Sequence, residues 1–252
     1  MARGLLGRQR LFGHRSDQSP WGTMDSFNES FRVLGSNVMA TVPSLARPTV
    51  MVTSSKAEEG KTVTCAKLAA SVAATGRRVI VVDFDLRHPG IHLALGTHNR
   101  LGAADVLLGR RRLGECMQYL RLPTPRGFGE RGLFLLTAGP TPPQPNEVLA
   151  LPRTDAVLGR LASQADLVLV DSPPVLAVAD ALTIGRQAGA ALLVVDARRT
   201  TAGAVERTRD LLRRNQTRII GMSLNQVRAG DASVSASYGY GYGNGGVGSP
   251  RP

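Results

Sequence analysis

The chain has 252 residues with a formal net charge of +12 at pH 7, a length that supports one α/β domain with a full core and not two of ordinary size. No apolar run approaches the roughly 18 to 20 residues that cross a bilayer, and the first arginines are not followed by the apolar stretch of a secretory signal, so a cytoplasmic protein is expected. The positive balance, nearly all arginine, suits contact with nucleic acid, an anionic membrane surface or an acidic polymer.

Residues 1–22 interleave Arg3, Arg8, Arg10 and Arg15 with Leu5, Leu6, Leu11, Phe12 and Trp21 and end in a Ser-Pro-Trp-Gly run. They read as a flexible basic arm whose composition also favours anionic headgroups. A helix start is expected at Ser26, with Glu29 as its capping-box partner and Phe27, Phe31, Leu34 and Val38 on one face. An apolar run at 50–52 then enters a loop ending Gly60-Lys61-Thr62, and an alanine-rich helix over 62–75 stops at Gly76. A second apolar run at 79–82 ends in Asp83-Phe84-Asp85-Leu86-Arg87.

From Pro89 to Arg131 the pattern weakens, with helical pieces expected at 103–108 and 113–120. A third apolar run at 133–136 meets a stiff, proline-rich loop before a helix that begins near Asn146. Further apolar runs at 167–170, 190–195 and 218–224, the last two separated by a helical stretch over 202–214, lack alternation. Such strands belong to a mostly parallel sheet buried on both faces, a three-layer α/β architecture. Cys65 and Cys116 have neither metal-ligand spacing nor a partner motif and read as reduced, buried thiols. Residues 229–252 hold almost no large aliphatic side chain, are rich in Gly and Ser, and are expected to be disordered. Three of the four tyrosines, Tyr238, Tyr240 and Tyr242, sit there.

The loop from Ser55 to Thr62 fits the phosphate-binding pattern from its second glycine onward, since Ser55 stands where the first glycine belongs. Its context is a strand running in, a helix running out and acids at two later strand ends. Gly60 lets backbone N–H groups close on phosphates, Lys61 reaches their oxygens and the Thr62 hydroxyl suits Mg2+. Glu59 and Val63 flank this core and are assigned to the same nucleotide site. Asp83, Asp85 and Asp171 fall at the carboxyl ends of parallel strands, where open α/β sheets bind ligands. Magnesium takes one or two such carboxylates and keeps waters, leaving a third acid to act on a nucleophile.

These residues resemble the bacterial tyrosine kinases of capsule and exopolysaccharide biosynthesis, P-loop proteins related to the partition and septum-site ATPases. The resemblance runs from about Asp25 to Val227 and into the tail. It rests on Glu29-Ser30-Phe31-Arg32, the phosphate loop, the run 81–87 and Thr137-Ala138-Gly139-Pro140 with Asn146 and Glu147. It continues through the run 170–176 with Asp180, Gly221-Met222-Ser223-Leu224-Asn225 and the tyrosine cluster. It implies a kinase domain over 23–228 that uses ATP and Mg2+ to convert protein tyrosine to phosphotyrosine. Lys61 is then the phosphate ligand; Thr62, Asp85 and Asp171 are the magnesium ligands. Asp83 is the base that takes the tyrosine proton, and Asn225 reads the adenine. Tyr238, Tyr240 and Tyr242 are the autophosphorylation sites.

The same resemblance implies a membrane polysaccharide co-polymerase adaptor, a phosphotyrosine phosphatase, and self-association for phosphorylation in trans at the inner face of the membrane. An anionic membrane surface is a further partner; nucleic acid is not expected as one. A tail of about ten residues spans roughly 17 to 20 Å on average, which reaches a neighbour more readily than its own site.

Two departures carry consequences. The family loop has Pro-Gly where this chain has Ala57-Glu58, which adds negative charge beside a polyphosphate, and Gly35 stands where the family's oligomerisation helix repeats arginine. Lys56 falls where the partition ATPases carry their signature lysine. A partition-type regulatory ATPase that binds DNA or membrane, and a catalytically weak scaffold, therefore remain as alternatives.

Overall fold

In a computed structural model of the chain, the backbone is described for residues 25–123 and 130–227 and the side chains from residue 29 onward. The basic arm and the tyrosine tail lie outside the described residues. Seven strands form one sheet in the order β3-β4-β2-β5-β1-β6-β7. They are β1 (Thr49–Ser54), β2 (Val79–Asp83), β3 (Met117–Leu122), β4 (Arg131–Leu136), β5 (Leu167–Asp171), β6 (Ala190–Asp196) and β7 (Arg218–Asn225). Strands β1, β2, β5 and β6 are buried at every position, as unalternating apolar runs require when both faces of a parallel sheet are covered.

Two apolar layers cover those faces. On one side α1 (Asp25–Thr41) and α2 (Lys61–Ala74) pack through Val38, Leu68 and Val72 on Val50, Val81, Leu135 and Leu169. On the other, α4 (Ala103–Leu107), α6 (Pro145–Ala150), α7 (Pro152–Ala162), α8 (Asp180–Ala188) and α9 (Ala202–Arg214) close over Ile80, Val82, Val168 and Val170. Short turns α3 (Ile91–Ala94) and α5 (Leu113–Cys116) join them. This is the three-layer, mostly parallel architecture expected from the sequence. Cys65 and Cys116 are free and buried, also as expected.

Three local features differ from expectation. Helix α1 is already formed at Asp25, so Ser26 lies inside it. The helix expected over 113–120 stops at Cys116, and residues 117–122 instead form β3, the one antiparallel strand, paired with β4 from Met117 opposite Leu136 to Leu122 opposite Arg131. Met-Gln-Tyr-Leu-Arg-Leu suits either state locally. The exposed backbone edge of β4 decides it, helped by the Tyr119 ring against Phe134 at 5.1 Å. Helices α7 and α8 were not foreseen.

Gly35 is buried where α1 meets α2, and a Cβ there would stand 3.0 Å from the Val72 Cγ2. Position 35 is thus a helix-packing position, where a larger side chain would have to displace the Val72 methyl. Glu29 and Arg32 remain on the exposed face, paired at 3.1 Å.

Candidate active site

The sheet brings the sequence-predicted acids together because β1, β2 and β5 are neighbours in register. Val52 pairs with Asp171, and Asp171 with Asp83. The loop leaving β1 turns into α2 over this row. Gly60 caps the helix at φ +87°, and any Cβ there would collide with the Asn225 amide. Glycine is required at that point, and the first N–H groups of the 14-residue α2 are left as a ready anion site.

Lys61 reaches from the helix start to Asp85 Oδ2 at 3.0 Å, with its Nζ 3.4 Å from the Thr62 hydroxyl. Burial pulls the lysine pKa down, but Asp171, Asp85 and Asp83 outweigh it and the net shift is upward. Asp85 accepts a second bond from the His88 N–H at 3.0 Å. Asp83 is fully buried. Its Oδ1 accepts from Asp85 N–H at 3.1 Å, and its Oδ2 from the Gly90 and Ile91 N–H groups at 3.1 and 3.2 Å. Burial and the Asp171 charge push its carboxyl well above the usual range despite those donors.

Asp171 is equally buried, and neither of its oxygens has a partner in hydrogen-bonding geometry. Burial pushes its carboxyl up to about 7 against the pull of the Lys61 ammonium and the Thr62 hydroxyl. A buried, unsatisfied carboxylate beside a threonine hydroxyl and a second acid matches what magnesium asks of a protein. Magnesium takes most of its ligands from phosphate and water, so a few such protein oxygens suffice.

The remaining predicted residues serve the loop itself. The Glu59 side chain is turned away from the phosphate side: it accepts from Ser55 N–H at 2.8 Å and from the Thr200 hydroxyl, leaving only its backbone to a ligand. Asn225 donates its amide to the Glu59 carbonyl at 3.1 Å and accepts from Gln226 N–H at 3.0 Å. Val63 is about half exposed on α2. Ser55, in place of the first glycine, has no left-handed backbone; it is fully buried with its hydroxyl accepting from Thr208 of α9 at 2.9 Å.

Sequence reasoning missed Thr200 and Thr208, which carry no motif. It quoted Arg87 and Asp180 without a role. They form a two-pronged ion pair, 2.8 and 3.2 Å, that ties the loop after β2 to the start of α8. Glu58 is the one residue of the loop under strain, at φ +64°. Its side chain is largely exposed and faces Arg199 at 3.6 Å, a contact of little energetic weight in solvent.

A glycine-capped helix start, one lysine and three strand-end carboxylates define a nucleotide-binding P-loop domain. Residues 50–238 match the CobQ/CobB/MinD/ParA nucleotide binding domain family. Within it, the chain is 31% identical over 198 residues to the tyrosine-protein kinase YwqD of Bacillus subtilis, covering 79% of this chain and 80% of that one. It is 32% identical over 233 residues to the tyrosine-protein kinase etk of Escherichia coli, covering 89% of this chain but only 31% of that protein. The solved kinase domain of Escherichia coli ETK superposes with a TM-score of 0.76 at 32% identity, covering 93% of this chain and 89% of that one. The chain therefore belongs to the bacterial tyrosine kinases. No helix among the described residues is long and apolar enough to cross a membrane.

Two outcomes test this geometry. Left-handed backbone costs a non-glycine residue about 1 to 2 kcal/mol, partly offset by the looser unfolded chain that glycine allows. Glu58→Gly should therefore stabilise by about 0.5 to 1 kcal/mol, raising Tm by about 1 to 4 °C in a melting scan. The second concerns pH. With its folded pKa raised from 3.8 to about 7, Asp171 binds its proton more tightly folded than unfolded between those values. Without nucleotide, its contribution to stability is present below pH 4 and lost as pH rises through 7. Asp171→Asn should flatten that part of the Tm profile, while Asp83, whose carboxyl is also pushed upward by burial and by the Asp171 charge, adds a slope of the same sign.

Proposed function

We propose that the chain is an ATP- and Mg2+-dependent protein-tyrosine kinase that phosphorylates its own C-terminal cluster, Tyr238, Tyr240 and Tyr242. Through that cluster it regulates capsular or exopolysaccharide polymerisation and export. The observation that carries this is the orphaned, buried Asp171 beside the Lys61–Asp85 ion pair at the phosphate loop, in a chain whose sequence also carries the Tyr238, Tyr240 and Tyr242 cluster. Phosphoryl transfer asks chiefly for positioning and charge neutralisation. Lys61 and the N–H groups at the start of α2 hold the phosphates. Thr62, Asp85 and Asp171 would hold Mg2+, which neutralises charge developing on the transferred group. Asp83, its pKa raised by burial, accepts the proton of the incoming tyrosine hydroxyl once the neighbouring carboxylates are engaged. Asn225, at the end of β7 beside Gly60, turns its amide from the loop carbonyl to the adenine edge.

In this reading residues 1–22 are a basic arm, 23–228 the kinase domain and 229–252 the substrate tail. The tail is offered in trans, and each phosphate adds about −1.5 to −2 charge to it. The partners are a membrane polysaccharide co-polymerase adaptor, a phosphotyrosine phosphatase and other copies of the chain, assembled at the inner face of the membrane.

Incubation with ATP and Mg2+, with and without an adaptor fragment, followed by mass spectrometry should find phosphotyrosine at positions 238, 240 and 242. Lys61→Ala should reduce it by a factor of 100 or more, the order of loss for a charge placed on the transition state. Tail phosphate undiminished by that substitution would contradict the reading, and ATP hydrolysis with no phosphotyrosine would favour a partition-type ATPase.

A further inference from the structure

The three acids of the site are not held alike. Asp83 and Asp171 end neighbouring strands and are fixed against each other by the sheet register, with a last ladder bond from the Phe84 N–H to the Asp171 carbonyl at 2.9 Å. Asp85 lies beyond that bond, in the turn that leaves β2. Its neighbours Phe84 and Leu86 are buried in the same apolar layer as Ala181 and Ile184 of α8. Apolar burial sets how deep the turn sits but is not directional. Direction comes from Arg87, whose Nε and Nη2 donate to Asp180 Oδ2 and Oδ1 at 2.8 and 3.2 Å, a two-pronged contact that fixes angle as well as distance.

Asp180 is a firm anchor for that contact. It opens α8, is only 2% exposed, and follows a segment pinned to the start of the phosphate loop. There the Val175 N–H donates to the Ser54 carbonyl at 2.8 Å and the Leu176 N–H to the Ser55 carbonyl at 3.1 Å. Asp171, Asp180 and the phosphate loop therefore form one frame, to which the Asp85 turn is tied by two charged links among the described residues. One is the Lys61–Asp85 bond at 3.0 Å, which is given up when Lys61 turns to a bound polyphosphate. The other, Arg87–Asp180, touches neither phosphate nor metal and persists when the site is loaded.

We infer that Asp180 is a positioning residue for the metal, a role that rests on the magnesium-nucleotide reading above. By holding Arg87 it fixes the separation of Asp85 from Asp171 and makes the site prefer Mg2+ to the larger Ca2+. Magnesium requires near-octahedral oxygens at about 2.0 to 2.1 Å, whereas calcium accepts irregular shells at about 2.3 to 2.6 Å. Carboxylates held on a rigid frame favour the first ion, and a turn free to drift accommodates the second.

The test is calorimetric titration of ATP into the full chain with Mg2+, with Ca2+ and with chelator. In the natural chain Mg2+ should tighten binding more than Ca2+ does. Asp180→Asn should reduce that preference by about tenfold, the order of loss when a group that orients a metal ligand is removed. Binding in chelator should stay unchanged, which shows an intact phosphate loop. Arg87→Lys keeps the charge and loses the planar fork, so it should lose the preference as well. A merely structural pair would act through stability alone. Arg87→Met combined with Asp180→Leu buries no uncompensated charge and should regain the melting temperature lost in the single variants, while the ion preference stays lost. An undiminished Mg2+ preference in Asp180→Asn or in Arg87→Lys, or its return with stability in the double variant, would overturn the role of Asp180 and leave the magnesium site standing. ATP binding by the natural chain that is indifferent to both ions would overturn the magnesium reading and this role together.

Discussion

Everything at the nucleotide site follows from burying three carboxylates around one lysine. Asp83, Asp85 and Asp171 are each almost wholly excluded from solvent, and only Lys61 among them carries the opposite charge. Removing one member of a buried, paired set costs about 3 to 5 kcal/mol because the others are left uncompensated. Even intact, the set carries more negative than positive charge. The protein tolerates this by surrounding Asp83 with backbone donors, by pairing Asp85 with the lysine, and by raising the pKa of Asp171 toward neutrality. A divalent cation is the species that would settle the remaining imbalance.

The loop above these acids departs from the usual pattern and is held in shape by other means. Where the first glycine is missing, Ser55 gains a hydroxyl contact with Thr208, and its N–H is taken by Glu59, which is anchored in turn by Thr200. These bonds tie the phosphate loop to the loop after β6 and to α9. The Arg87–Asp180 pair does the same between the acidic turn and α8. What looked in the sequence like a compromised loop is braced from behind. Its residual strain is confined to Glu58, whose charge points outward to Arg199.

The buried strands were legible because a parallel sheet covered on both faces demands continuous apolar runs, and β1, β2, β5 and β6 fall on those runs. The strand-end acids were legible for the same reason: once the strands are parallel neighbours, residues at their ends must meet. β3 was not, since Met117 to Leu122 has no local preference strong enough to refuse a helix, and only the open edge of β4 makes it a strand. Gly35 could be named as a departure but not explained. Its cause is the proximity of Val72, 37 positions on, which no local pattern carries. The braces at Thr200, Thr208 and Asp180 were invisible as braces because each is an ordinary polar residue made specific only by its partner.

The account stands on the claim that this carboxylate and lysine cluster is a magnesium-nucleotide site despite Ala57 and Glu58. Calorimetric titration of ATP into the natural chain, with Mg2+ and with chelator, tests it most directly. The account predicts saturable binding with one nucleotide per chain, at least tenfold tighter with Mg2+, the metal dependence disappearing in Asp171→Asn. No heat of binding in the natural chain, or an affinity indifferent to Mg2+, would contradict it.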